Sequence, residues 1–282
     1  MRRARARLMI DPISRLLLKT RGLQDDRDGE PPTVALMYHG VVARGGRPNT
    51  RFDVRAEAFS GQLDLLIRAG FETARVSDLF RGERGGRRRV AITFDDGFRN
   101  NIEGAVRPLL ERRMTASWYV VSDFVGGIAP WVDGDRRERE LLTESELRAM
   151  IGADFEIGSH TRRHLDLTKV APEEIESEIA GSKRDLEDRL SASIRTFAYP
   201  YGRFNGGVRE AVVAAGYAAA CATRSGFVRA ADDRYAMRRV TITGADTLSS
   251  FARKLALADN DVAWGDVARH GVRHLHALLR AG

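Results

Sequence analysis

Four short stretches of this chain hold side chains suited to catalysis or to binding a metal ion. Thr93-Phe94-Asp95-Asp96-Gly97 sets two carboxylates side by side after an apolar run. Adjacent side chains point in different directions, so one carboxylate can bind a cation while its neighbour stays free as a base. An Asp-Asp-Gly by itself is more often a turn than a site. His160-Thr161-Arg162-Arg163-His164 spaces two histidines four apart. They can converge on one ion if the segment makes a helical turn, and imidazole suits zinc, cobalt or nickel. Asp96, His160 and His164 together would form a three-ligand set with positions left for water and substrate, the composition of a catalytic zinc site; a structural site closes all four positions. Phe197-Ala198-Tyr199-Pro200-Tyr201-Gly202 reads as a strand entering a tight turn, which on composition alone is a β-edge with a turn proline. Leu36-Met37-Tyr38-His39-Gly40 ends a strand-like run in a histidine, and a single strand-end histidine is usually structural.

The strands and helices around these residues follow from hydrophobic period. Val34 to Tyr38, Val90 to Phe94, Ala116 to Val121, Ile194 to Tyr199 and Tyr217 to Ala222 read as strands, with a shorter run at Phe155 to Ile157. Between them lie helical patterns. Phe59, Leu63, Leu66 and Ile67 fall at helical spacing, stopped by Gly70. Helices are predicted over 101–113, 172–190 and 208–215, and the Thr143/Glu146 pair has capping-box spacing ahead of Leu147 and Met150. This βαβα alternation predicts an α/β fold with a mostly parallel sheet and helices outside it, open or closed into a barrel. The polar residues gather after the strands, where parallel α/β folds build their sites.

The 282 residues are 43% hydrophobic and 30% charged, an ordinary globular balance, and a chain of this size can bury a core without disulfides. The single cysteine, Cys221, lies in an apolar run and reads as a buried structural thiol, consistent with a reducing compartment. The net charge of +7 comes from 46 Lys and Arg against 39 Asp and Glu. Its arginine clusters lack interleaved aromatics or a nucleic-acid motif, so no nucleic-acid partner is expected. Residues 1–32 read as a basic N-terminal extension, a short helix and a charged linker ending at Pro31-Pro32. Its apolar run is broken too early for a signal peptide or a membrane span. Contact with an anionic membrane surface is the alternative to a plain extension. The catalytic domain is expected over 33–258 and a helical tail over 259–282.

In their order, the stretches Thr93 to Gly97, His160 to His164 and Phe197 to Gly202 resemble the polysaccharide deacetylases, the NodB homology domain of carbohydrate esterase family 4. The resemblance runs from about Thr33 to Thr243 and implies a distorted (β/α) barrel of the NodB type. It implies a metal-dependent hydrolase that removes N-acetyl groups from N-acetylhexosamine units of a polysaccharide, oligosaccharide or lipid-linked precursor. Asp95 would be the general base, and Asp96, His160 and His164 the metal ligands. The Tyr201 amide would be the oxyanion donor. Pro200 and Tyr199 in the same turn are assigned to substrate binding. Zinc is the expected ion, with cobalt or nickel as alternatives.

Two departures from the family pattern stand out. The arginine expected before the proline, which orients the base, is replaced by Phe197-Ala198-Tyr199. Arg239, assigned provisionally to substrate binding, could supply that charge from another strand. The late histidine acid is also missing, since His270, His274 and His276 fall in a predicted terminal helix. Tyr-His-Gly near the start and Phe-Ala-Tyr-Pro-Tyr-Gly later resemble the subgroup acting on exopolysaccharides such as poly-N-acetylglucosamine. In that subgroup an early histidine is the candidate acid, here His39. An O-acetyl esterase acting on xylan-like sugars and an inactive carbohydrate-binding relative are the other readings. Trp131 and Tyr119 are candidates to line a sugar cleft or ordinary core residues. The expected location is cytoplasmic, with peripheral contact at the inner face of a membrane or with a lipid-linked substrate as an option.

Overall fold

The computed structural model describes residues 9–21, 33–80, 87–132 and 139–268. The end of the expected charged linker, at Pro31-Pro32, and the histidines of the C-terminal tail lie outside the described residues.

The chain folds into a curled, all-parallel sheet wrapped by helices. Its strands are β1 (Thr33–Tyr38), β4 (Phe71–Thr73), β5 (Arg88–Phe94), β6 (Ser117–Val120), β7 (Glu156–Ser159), β8 (Thr196–Ala198), β9 (Ala219–Cys221) and β10 (Val240–Thr241). A separate two-stranded parallel pair, β2 (Val41–Val42) and β3 (Val54–Arg55), sits beside the barrel mouth. The strand order is β10-β1-β5-β6-β7-β8-β9, with β4 paired to β5. Met37 aligns with Thr93 and Phe94 with Trp118, so the strand ends fall level. The ring nearly closes, because Met237 bridges to Cys221 before the same segment enters β10 beside β1.

Period-2 alternation on β5 sorts the core into two layers. Val90, Ile92 and Phe94 face the helices, in a cluster with Leu36, Tyr38, Trp118 and Phe197. Ala91 faces the barrel interior with Ala35, Tyr119, Ala198 and Cys221, a second cluster dominated by small side chains. Continued beyond the strand end, this parity turns Thr93 and Asp95 inward, and the small neighbours leave room for them. Tyr119 is fully buried in this interior layer, so its role is core and not cleft. The Cys221 thiol, also fully buried, meets the Tyr119 hydroxyl at 3.0 Å and is pushed up to about 12 by burial.

The helices are α1 (Pro12–Arg21), α2 (Ala56–Arg68), α3 (Arg107–Glu111), α4 (Glu144–Gly152), α5 (Pro172–Glu176), α6 (Ser182–Leu190), α7 (Gly206–Ala214) and α8 (Leu248–Leu257). The predicted capping box forms at α4, where the Thr143 side chain accepts from the Glu146 N–H and the Glu146 carboxylate accepts from the Thr143 N–H. Two predicted continuous helices instead carry wide π-turns, over Ile102–Val106 ahead of α3 and Ser177–Gly181 between α5 and α6. In the first, Gly104 lies against the Val41 carbonyl, which a β-carbon would approach to 2.0 Å. Hydrophobic period does not encode that contact. The N-terminal helix packs along α8, with Leu18 5% exposed, so this part of the extension belongs to the folded body. Among the described residues no helix is long and apolar enough to cross a membrane.

Candidate active site

All four chemistry-bearing stretches end at the carboxyl edge of the barrel, around a cavity of about 550 Å³. Asp95 follows β5 and is held by its own N–H, which donates to the Tyr38 carbonyl at 2.9 Å. Its carboxylate, 4% exposed, receives a two-pronged grip from Arg239: Nη1 to Oδ1 at 2.6 Å and Nη2 to Oδ2 at 2.8 Å. Arg239 is itself fully buried, anchored by Nε to the Ala222 carbonyl and by Nη1 to the Thr93 hydroxyl. Burial alone would raise the Asp95 carboxyl, but the guanidinium beside it outweighs that penalty and holds it below the usual range. The provisional placement of Arg239 in substrate binding is therefore corrected. With no exposed surface, it meets the carboxylate and not the cavity.

Asp96 turns the other way because its backbone enters the left-handed region, φ 72°, and Gly97 follows at φ 76°. A β-carbon on Gly97 would come within 2.8 Å of Val120, so the turn demands glycine on two counts. Asp96 thereby faces His160 and His164. Its Oδ1 lies 3.6 Å from His160 Nε2 and 3.2 Å from His164 Nε2. One ligand atom from each of the three residues lies within 4.8 Å of the other two. Burial opposes the charge on Asp96 as well, yet the facing imidazoles keep its carboxyl well below the ordinary range.

The two histidines do not meet through a helical turn. The segment is an irregular loop in which Thr161 (φ 69°) and His164 (φ 61°) both take left-handed conformations. The Thr161 hydroxyl accepts from the His164 N–H at 2.9 Å. Flanking arginines fasten the loop outward: Arg162 grips Asp185 with Nε and Nη2, and Arg163 bonds the fully buried Glu178 carboxylate through both its backbone N–H and Nε.

These residues fit a divalent ion. His160 Nδ1 donates to the Ala198 carbonyl at 2.7 Å, which fixes the tautomer and leaves the Nε2 lone pair aimed at Asp96. Burial lowers His160 to about 4, so the ring is neutral at pH 7, as a ligand must be. One carboxylate and two imidazoles leave positions open, the donor set of a catalytic site.

The remaining predicted residues separate into cavity and core. His39 lines the cavity, its ring stacked on Phe52 at 4.6 Å and its buried Nδ1 without a partner among the described residues. Tyr201 lines it too, half exposed, at φ 59° in the turn after Pro200, with its ring edge-on to His164. Trp131 stacks on the His164 ring at 4.6 Å and also lines the cavity. Tyr199 does not. It is fully buried, and its hydroxyl donates to the Tyr235 carbonyl at 2.9 Å. Pro200 is likewise buried and shapes the turn without reaching the lining. Both assignments to substrate binding are corrected accordingly.

Sequence reasoning missed the cavity wall made by Thr50, Arg51, Phe52 and Arg139. Arg139 forms a second two-pronged ion pair, with Asp53: Nη1 to Oδ1 at 3.0 Å and Nη2 to Oδ2 at 2.6 Å. It joins the loop before β3 to the segment preceding α4. In the sequence Arg139 sits inside a run of charged residues that reads as a solvated surface, so no local signal singles it out.

Comparison with known proteins follows the same lines. Residues 82–220 match the family described as polysaccharide deacetylase. YxkH of Bacillus subtilis, whose name carries that family description provisionally, is 26% identical over 220 residues, 77% of this chain and 73% of that protein. The crystal structure of BC0361, a polysaccharide deacetylase from Bacillus cereus, superposes with a TM-score of 0.67 at 26% identity, covering 80% of this chain and 69% of the other. IcaB from Ammonifex degensii superposes equally well, TM-score 0.67, over 80% of this chain and 97% of its own, and at 22% identity the likeness is one of fold.

Proposed function

Since residues 82–220 match the polysaccharide deacetylase family, we propose that the chain is a hydrolase of that family and removes N-acetyl groups from N-acetylhexosamine units through a divalent ion, zinc first. The substrate on this reading is a polysaccharide, an oligosaccharide or a lipid-linked precursor, met in the cytoplasm. The observation that carries the proposal is the pairing of a three-ligand cluster with a spare, oriented carboxylate on one cavity.

Asp96, His160 and His164 would hold the ion, which supplies Lewis-acid polarisation of the acetyl carbonyl and a water of lowered pKa. Asp95 then acts as the base, taking the proton of the water that adds to the carbonyl carbon. Arg239 keeps that carboxylate ionised and fixes its direction. The Tyr201 N–H is the candidate donor to the developing oxyanion, and loss of such a donor typically costs about 10²–10³ in rate. His39 gives a proton to the departing nitrogen. Without it the leaving group would be an amide anion, too basic to expel. Acetate and a free amine result, and the carbon–nitrogen bond is the one broken.

Asp95→Asn tests the reading. Acetate release from N-acetylated oligosaccharides should fall by about 10²–10⁴ while elemental analysis still finds one ion per chain. Full activity in that variant would refute it. Measuring free amine against free acetate on N- and O-acetylated sugars separates deacetylation from ester hydrolysis.

A further inference from the structure

A second surface, remote from the cavity, is unlike the rest of the molecule. Nine large apolar side chains are markedly exposed among the described residues, and five of them belong to α1 and the segments around it. Met9, Ile13 and Leu16 are 71%, 57% and 59% exposed on the outer side of α1 and the residue run leading into it. The inner side of the same helix is buried through Ser14 and Leu18. Ile67, in the last turn of α2, and Trp264, stacked under Arg253, are the other two. Arg253 reaches back to the Ser14 hydroxyl at 2.9 Å, so the Trp264 segment is tied to α1.

Beside this stripe opens a cavity of about 820 Å³ between α1, the end of α2 and the start of β5. Among the described residues its polar lining is cationic throughout: Arg15, Lys19, Arg68 and Arg88, with no carboxylate. Arg88 spends its Nη1 on the Leu18 and Ala69 carbonyls, and among the described residues no carboxylate pairs with it. The walls between the cations are apolar, Ile10, Leu18 and Leu65 among them. Four like charges gathered around apolar walls, next to a row of exposed aliphatic side chains, form an amphipathic pattern. A polyanion such as nucleic acid would satisfy the cations and leave the aliphatic stripe in water. An anionic lipid surface satisfies both.

We propose that α1 and this basic cavity dock the chain on an anionic lipid bilayer, with Met9, Ile13 and Leu16 entering the head-group boundary and the cavity cations meeting lipid phosphates. The surface runs along the flank of the barrel, from Met9, whose carbonyl accepts from Ser249 at the start of α8, to Arg88 at the amino edge. Arg88 opens β5 and Asp95 follows its last residue, roughly 23 Å away at about 3.3 Å per residue. Docking on this flank uses none of the residues that line the hydrolytic cavity. The inference stands independently of what that cavity does.

Sedimentation of the full chain with vesicles tests it. Binding to phosphatidylcholine vesicles containing phosphatidylglycerol is expected, with little binding to phosphatidylcholine alone. The double variant Arg15→Glu/Lys19→Glu should partition more weakly by at least about 30-fold, since each cation near such a surface contributes a factor of about five. Ile13→Ser/Leu16→Ser should weaken it by about tenfold or more through lost apolar burial. Both variants should keep the hydrolytic rate on a soluble oligosaccharide, which establishes that they fold. Absent or equal binding to the two vesicle types would overturn the proposal. So would vesicle binding untouched by Ile13→Ser/Leu16→Ser but abolished by a duplex oligonucleotide, which would make the patch a polyanion site. A dimer in sedimentation velocity that Leu16→Ser dissolves would assign the stripe to a second copy and overturn it equally.

Discussion

Two buried arginine–aspartate pairs frame the cavity, and they are mirror images in use. In the floor, Arg239 grips Asp95, and in the wall, Arg139 grips Asp53. Both are bidentate and nearly free of solvent. In the floor pair the carboxylate faces the cavity and the cation is hidden, whereas in the wall pair the cation lines the cavity and the carboxylate is hidden. The floor pair is built from strand ends that the barrel fixes, and the wall pair from two loops. The same chemistry can hold a reacting group at a set angle or clasp two loops, and its geometry alone does not tell which. What decides is the member that meets the substrate.

Breaking each pair should sharpen this contrast. Arg239→Met leaves a buried carboxylate alone, which typically costs about 3–5 kcal/mol, readable in urea unfolding. It should also move the acid limb of the kcat/KM profile to higher pH. The guanidinium is what holds Asp95 down against burial, so without it the carboxyl rises and the base is lost sooner on acidification. Arg239→Lys should recover only part of both effects, because an ammonium cannot reproduce the fork. Arg139→Met should cost less, at most about 3 kcal/mol, because Asp53 keeps the Asn49 and Thr50 backbone N–H groups. Its acid limb should stay in place while KM for an oligosaccharide rises. An acid limb that moves in both variants, or in neither, would erase the distinction between floor and wall.

Trp131→Ala tests the wall at a single ring. Loss of one aromatic face against a sugar should raise KM about two- to tenfold with little change in kcat for a small acetylated substrate. A collapse of kcat would show that the ring's stacking on His164 matters to the chemistry. The smallest effect is expected beneath the floor. Glu156 is buried in β7 with its pKa raised by burial, although Ser117 and Ser77 hydrogen-bond to it. Its favourable contribution is that of the protonated form, fully present below the unfolded carboxyl pKa and lost as pH rises through the folded one. Glu156→Gln should therefore stabilise the chain at neutral pH by about 1 kcal/mol. That gain should fade on acidification, and a constant gain across pH 4 to 7 would contradict the assignment.

The floor was legible in the sequence and the wall was not, for physical reasons. A parallel strand buried on both faces announces itself as a run such as Val34 to Tyr38, and the residues after it inherit the site position from the fold. Asp96, His160 and His164 could thus be grouped across nearly 70 residues from strand-end position and ligand chemistry together, and the family resemblance set Asp95 beside them as the base. The manner of their convergence could not be read, because left-handed Asp96, Thr161 and His164 carry no local signature when the residue is not glycine. Arg239 was recognisable as a spare cation, but its partner 144 residues away depends on ring closure. Arg139 was hidden by its charged neighbours. Tyr199 misled because the motif named a turn, while strand parity decides which of its side chains reach the cavity.

The distance along the chain between Asp95 and Arg239 bears on how the protein comes into being. The carboxylate emerges from the ribosome early in synthesis, whereas the cation that restrains it belongs to the stretch just before the last strand. Until that stretch is made and seated beside β9 and β1, the Asp95 carboxylate has no guanidinium to restrain it. A truncated or nascent chain ending before residue 239 contains Asp96, His160 and His164, yet it lacks the guanidinium that the proposed hydrolysis requires. Completion of the polypeptide is in this sense the step that arms it.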